Sequence, residues 1–281
     1  MIQDSKILKW FKEHEHQKGW FVVLFTQPKL YLYNLLNRTF IMGFLLFVVF
    51  EILKYFHLGQ TQSIPSSIHS LVGIVIGLLL VFRTNTAYDR WWEARRIFSS
   101  LHATFLYFIV KSKMEYEGLQ KSVKEVVIKI NSDIFNFVST DDPKESEQFK
   151  SSFLKNYEEL GNLFSKFNNT APPVYGSIER KMSEVLDQFS SLERIRNTPI
   201  PMSYSFHIKL SVFLYLLTLP FGLFFELGIW AIPCVMALFF IIAGIEIISN
   251  EIENPFKGDP NDLPIDDFKN ETEKYINKKR G

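Results

Sequence analysis

One cysteine, Cys234, in 281 residues excludes an intrachain disulfide framework and any zinc site built from several cysteines. No sign of charge predominates either. The chain carries 31 Lys and Arg against 30 Asp and Glu, whereas nucleic acid as the main partner would call for a basic excess or patch. There is no Gly-rich phosphate loop, no G-x-S-x-G elbow and no H-E-x-x-H. A catalytic site would have to be assembled from scattered acids, so neither enzymatic activity nor a cofactor is expected. Of the six histidines (His14, His16, His57, His69, His102, His207), only His14 and His16 approach metal-ligand spacing. They sit in a Glu-His-Glu-His-Gln run that reads as a solvated helix start, and no metal site is expected. An even charge balance and 47% apolar residues would suit a soluble enzyme, but position along the chain says otherwise.

Leu58 to Phe82 contains no Asp, Glu, Lys or Arg, and Leu210 to Asn250 contains only Glu226 and Glu246. A helix crosses the hydrocarbon core of a bilayer with about 20 apolar residues. The second stretch is therefore two spans, divided near Glu226-Leu227-Gly228. Another candidate runs from Thr39, with Glu51 and Lys54 near its end, where Lys54 can snorkel to the interface. The expected spans are 39–57, 64–82, 208–226 and 228–249. Basic residues cluster before the first span (Lys6, Lys9, Lys12, Lys18, Lys29, Arg38), after the second (Arg83, Arg90, Arg95, Arg96) and after the fourth (Lys257, Lys269, Lys274, Lys278, Lys279, Arg280). By the positive-inside rule both termini, 1–38 and 250–281, and the central segment 83–205 are cytosolic. No cleavable signal peptide is expected, because the first segment is charged and lacks an apolar region. Three glycosylation-type triplets, at Asn37, Asn168 and Asn270, then fall on the cytosolic side and are chance matches.

Within the central segment, apolar residues recur at helical spacing: Val123, Val127, Ile130, Ile134 and Val138; Phe149, Phe153, Tyr157, Leu160 and Phe164; Ile178, Met182, Val185, Phe189 and Leu192. Prolines at Asp141-Asp142-Pro143 and Ala171-Pro172-Pro173 break the pattern. The fold class is an all-α integral membrane protein, four transmembrane helices continuous with a helical cytosolic bundle. The tail from Asn254, rich in Pro, Asp and Lys, reads as an extended arm.

The junction after the second span reads Phe82-Arg83-Thr84-Asn85-Thr86-Ala87-Tyr88-Asp89-Arg90-Trp91-Trp92-Glu93-Ala94-Arg95-Arg96. Physically it is a helix leaving the membrane, with an aromatic pair at the interface and arginines on the cytosolic side. It also resembles the bestrophin family of ion channels, whose signature is an Arg-Trp-Trp element after a Phe-containing second span. Thr198-Pro199-Ile200-Pro201-Met202-Ser203-Tyr204 is similar to the family's Ile-Pro step, and Asn254-Pro255-Phe256-Lys257-Gly258 to its Asn-Pro-Phe-Gly element. The resemblance runs from the first span to about Asp267 and looks most like the bacterial branch.

The resemblance implies a homopentamer in the cell membrane, with one pore on the five-fold axis lined by the second span. Its narrow neck falls on Ile74, Leu78 and Phe82, and a cytosolic aperture on Ile200. Arg90, Trp91 and Trp92 form the structural signature. The neck residues lie at i, i+4 and i+8, so five copies would stack three apolar rings, which gate by dewetting when tight. Without the family, the same stripe more often means helix packing, since apolar stripes usually face a core. Gly73 and Gly77 would let helices approach behind it. For Ile200 the alternative is a buried helix-start residue. Arg83 and Arg90 are expected to pair with Asp89 or Glu93, and Trp91 and Trp92 to act as packing and interface anchors. An acid within a span, Glu246 above all, is a functional candidate by default.

Animal members hold calcium with consecutive acids directly after Asn-Pro-Phe. Here Asp259, Asp262, Asp266 and Asp267 are broken up by Lys257, Pro260 and Pro264, a poor arrangement for clustered oxygen ligands, and no calcium requirement is expected. The permeant species is a monovalent ion. The bacterial-type wording leans to a cation, with chloride the alternative. A transporter or membrane enzyme would gather ionisable residues at mid-membrane, which spans two and three lack; a membrane scaffold would pass no ions.

Overall fold

The computed structural model describes residues 29–56, 66–115, 117–165, 171–259 and 262–277. Lys6, Lys9, Lys12, Lys18, His14, His16, His57, the triplet at Asn168, and Lys278, Lys279 and Arg280 lie outside the described residues. Those described are helical, without a strand: α1 (Lys29–Tyr55), α2 (Ser66–Glu115), α3 (Gln120–Ser139), α4 (Pro143–Ser165), α5 (Pro172–Asn197), α6 (Met202–Leu227), α7 (Ala231–Glu253) and α8 (Ile265–Asn277). Four of them, α1, α2, α6 and α7, are long and apolar enough to cross a membrane.

α2 is 50 residues long, about 75 Å at the helical rise. It does not stop at Phe82, and the sequence explains why: from Leu78 to Glu115 there is neither Gly nor Pro. One buried stripe also runs through it, from Ile76 and Leu80 by way of Arg83, Ala87, Ala94 and Phe98 to Leu101, Phe105 and Phe108. Steps of three, four and seven keep these residues on a single face.

The chain divides into two compact units. The first takes the described residues of Met1–Val75 with Ser211–Gly244. Its buried apolar cluster is Leu46, Leu219 and Val235, packed with Met42, Tyr215, Leu223 and Ile232. Phe50 and Phe224 meet edge to face at 5.0 Å, and a Cβ on Gly73 would stand 2.7 Å from the Tyr215 hydroxyl oxygen. That close approach is the one expected of Gly73; around Gly77 there is open space. Between α6 and α7 the chain turns through a short 3-10 segment whose first residue, Gly228, has φ +56°, a conformation that suits glycine.

The second unit takes Ile76–Leu210 and Ile245–Gly281. Its core joins α2 (Phe98, Leu101, Phe105, Phe108), α3 (Val123, Val127, Ile130, Ile134), α4 (Phe153, Leu160, Phe164) and α5 (Ile178, Val185, Phe189, Leu192). Aromatic contacts weld it: Phe153 stacks on Phe189 at 4.0 Å, and Phe98 on Phe135 at 5.0 Å. The breaks are capped as their residues dictate. Asp142 Oδ1 accepts the Lys144 backbone N–H at 2.8 Å at the start of α4, and Pro172 opens α5, where no helical donor is needed.

The tail differs from the extended arm expected. Residues Ile265–Asn277 form α8. Asp266 and Asp267 occupy its first turn and Lys274 its last, matching the helix dipole, while Phe268, Thr272 and Ile276 share one face. That face docks: Phe268 stacks on Phe98 at 5.8 Å, Arg95 lies 4.4 Å over the Phe268 ring, and His102 Nδ1 is 2.9 Å from Thr272 Oγ1.

Candidate functional site

The neck candidates and the buried stripe of α2 lie on opposite faces. Ile74 and Leu78 are each two residues from a position of the stripe (76, 80), a rotation of about 200°, and Phe82 is two residues from Leu80 and one from Arg83. Their exposures in the single chain, 70%, 54% and 53%, contrast with 3% for Leu80. Own-chain packing therefore does not account for the Ile74, Leu78, Phe82 row. Within the single chain the stripe that packs is the other one, and Leu71, Val75 and Val81 of α2 are exposed to a similar extent.

The three separated sequence elements meet at Arg90. Its Nε donates to the Glu253 carbonyl at 3.1 Å, Nη1 to the Thr198 carbonyl at 2.7 Å and Nη2 to the Ile195 carbonyl at 2.7 Å. One guanidinium thus joins α2 to the C-terminal ends of α5 and α7, where unpaired carbonyls and the negative end of the dipole favour a cation. The planar five-donor fork allows this, and lysine could not reproduce it. Beside it, Tyr88, Trp91 and Trp92 stack with centroids 6.2–6.3 Å apart. Trp91 packs against the core and Trp92 is exposed. After Glu253, the Phe256 ring meets Phe98 edge-on at 6.1 Å, and Gly258 takes φ +87°, the left-handed turn its position requires.

Ile200 lies between α5 and α6 and is 8% exposed, whereas Met202, two residues on, is 87% exposed. Pro201 begins the helix, its carbonyl accepting from the backbone N–H of Tyr204 and Ser205. Met202 drew no attention in the sequence because an isolated methionine beside a proline has no pattern to distinguish it.

The partners expected for the arginines are corrected. Among the described contacts neither Arg83 nor Arg90 makes a hydrogen bond or close ion pair with Asp89 or Glu93, although the Glu93 charge is felt at Arg90. Glu93 instead binds Arg194 at 2.7 Å, and Arg83 reaches Glu246, Asn250 and Glu253 on α7. Glu246, unlike the exposed Glu226, is engaged.

Beyond α7, Asp262 Oδ2 accepts the Asp259 backbone N–H at 2.9 Å. Its pKa is raised to about 6, by burial first and then by the carboxylates of Asp259 and Glu251.

Comparison with known proteins gives the family and the fold. A family model described as bacterial/fungal bestrophin protein matches residues 12–138 and 119–278. A protein of Nostoc sp. named as voltage-dependent anion channel-forming is 31% identical, covering 92% of this chain and 91% of its own length. One of Synechocystis sp. with the same description is 31% identical over 74% of this chain and 75% of its own. Among solved structures, a bacterial bestrophin homologue from Klebsiella pneumoniae superposes with a TM-score of 0.75 at 19% identity, covering 87% of this chain and 96% of that one. With four apolar helices, the Arg90 junction and a family match along nearly the whole chain, the protein belongs to the bacterial and fungal bestrophin family.

Proposed function

We propose that five copies of this chain assemble in the cell membrane around a single pore lined by α2, and that the pore passes monovalent anions, chloride first. The observation that carries this reading is the exposed apolar row Ile74, Leu78 and Phe82 opposite the packed face of α2. In a five-fold ring that row forms three stacked apolar constrictions, which offer an ion no replacement for its hydration shell and close by dewetting. A second constriction lies at the turn from Ile200 to Met202, where Met202 is exposed and Ile200 buried. Arg83, Arg90, Arg95 and Arg96 after the α2 span, and Lys257, Lys269 and Lys274 after α7, support a cytosolic side for the helical unit and both termini.

The sign of the ion follows the relatives, which are named as anion channel-forming; this moves the reading from the cation first favoured. The neck itself carries no charge and does not select by Coulomb attraction. Reconstitution of the purified protein in planar bilayers under a KCl gradient tests the proposal. Single-channel currents reversing near the chloride equilibrium potential support it, reversal near that of potassium restores the cation reading, and persistently silent bilayers favour a scaffold. Mass measurement in detergent checks the five copies.

A further inference from the structure

Phe82, the last ring of the proposed neck, is followed at once by Arg83, a residue with 0% exposure. Its Nη1 donates to Glu246 Oε1 at 3.2 Å, its Nη2 to Asn250 Oδ1, and Glu253 Oε2 lies 3.7 Å from Nη2. Asn250 Nδ2 in turn donates to Glu246 Oε1 at 2.6 Å. One residue on, the hydroxyls of Thr84 and Ser249 are 2.7 Å apart. A polar lock between α2 and α7 therefore sits immediately beyond the neck. From α6, Lys209 Nζ reaches the same Glu246 Oε1 at 3.4 Å, so that one carboxylate serves two cations on two helices.

A buried ion pair is a poor source of stability, because desolvation offsets much of the Coulomb attraction, but one arrangement of it is strongly preferred over misaligned ones. Turning α2 by one residue, about 100°, would carry the guanidinium away from Glu246, Asn250 and Glu253 together. The same turn would swing Leu78 and Phe82 together away from the proposed pore axis. Orientation of the neck and integrity of the lock are thus one variable. Lys209 makes a second position accessible, since Glu246 keeps a positive partner when Arg83 departs.

We propose that Arg83 and Glu246 are positioning residues of the gate, their pair holding α2 in the orientation against α7 seen here, with Lys209 as the alternative partner that lets α2 leave it. This rests on the neck reading given above. It is tested by single-channel recording of Arg83→Gln, Glu246→Gln, their double variant and Lys209→Met.

Each of the first two is expected to change open probability at least fivefold, with single-channel conductance and reversal potential unchanged. The double variant should go no further than the stronger single one, and Lys209→Met should shift open probability in the opposite direction. Additive effects, unmoved open probability, or a change in conductance alone would overturn the proposal, the last because it would put Arg83 in the ion path. Should Arg83→Gln not fold, Arg83→Lys and Thr84→Val keep the test open. The first retains charge without the fork, the second removes one neutral contact, and both are expected to shift open probability in the same direction as Glu246→Gln; shifts the other way, or none, count against the lock.

A second readout does not depend on conduction. With Cys234, the chain's single cysteine, replaced by Ser, a spin label at position 78 should show a broader distance distribution between copies in Glu246→Gln than in its parent. An unchanged distribution overturns the lock even if the bilayers are silent, whereas silent bilayers with a broadened distribution overturn only the channel reading.

Discussion

Leu78 and Leu80 form a matched pair, the same residue type two positions apart on α2, one half exposed and the other almost fully buried in its own chain. Replacing each with Ala asks which face packs and which gates. Lipid tails are as apolar as leucine, so the transfer part of the usual Leu→Ala cost is small within a membrane and the cavity part remains. For Leu80 that part is about 2 kcal/mol, the lower end of the range for buried leucine. For Leu78, half exposed in its own chain and so leaving little cavity, the cost should stay within about 0.5 kcal/mol. The effect on conduction is reversed. Shortening the middle ring in five copies widens the neck and admits water, and is expected to raise open probability about tenfold, equivalent to about 1.4 kcal/mol. Thermal unfolding of the detergent-purified protein reads the first quantity and bilayer recording the second. If Leu78→Ala destabilised as much as Leu80→Ala and left gating unmoved, the row at Ile74, Leu78 and Phe82 would be a packing face between helices.

Other consequences follow from residues elsewhere. At the second constriction, Met202→Ala should change conductance more than Ile200→Ala, because Met202 is open to its surroundings and Ile200 is buried; the reverse order would place Ile200 in the ion path. Phe153→Ala removes a fully buried ring stacked on Phe189 and should cost about 3–5 kcal/mol without moving the reversal potential, as chemical denaturation and recording would show. Asp262 has a folded pKa of about 6, above the ordinary carboxylate value. The folded state therefore holds its proton more tightly than the unfolded one, and stability declines as pH rises from about 4 to about 6. Asp262→Asn should stabilise above pH 6 by about 1 kcal/mol after solvent screening and have no effect below pH 4, which denaturation curves at the two pH values would check. Chelation of calcium should leave currents unchanged, and their loss with recovery on adding calcium back would assign the acids at 259–267 a metal.

What the sequence discloses about this fold depends on how local the determining physics is. The apolar stretches are visible because crossing a membrane requires length alone, and the turn at Gly228 because a hairpin needs a residue tolerant of positive φ. The helices around Val127, Phe153 and Val185 are visible as periodicity. α8 was readable in principle from Asp266 and Asp267 after Pro264 and from the spacing of Phe268, Thr272 and Ile276, but its proline-rich and charged surroundings suggested an arm. The neck row was visible as a stripe, whereas its separation from the packed stripe two residues away was not, since both are apolar and only tertiary contact tells them apart. Arg83 and Arg90 were least legible of all. Their partners are more than 100 positions distant, and for Arg90 they are backbone carbonyls, which no residue type announces.

The central claim, that the face of α2 carrying Leu78 lines the ion path, has a direct test. In a Cys234→Ser background, Leu78→Cys and Leu80→Cys channels are recorded while a charged thiol-reactive reagent is applied. Stepwise block of the Leu78→Cys channel, with Leu80→Cys unaffected, is the predicted result. Block of Leu80→Cys with Leu78→Cys inert would contradict it.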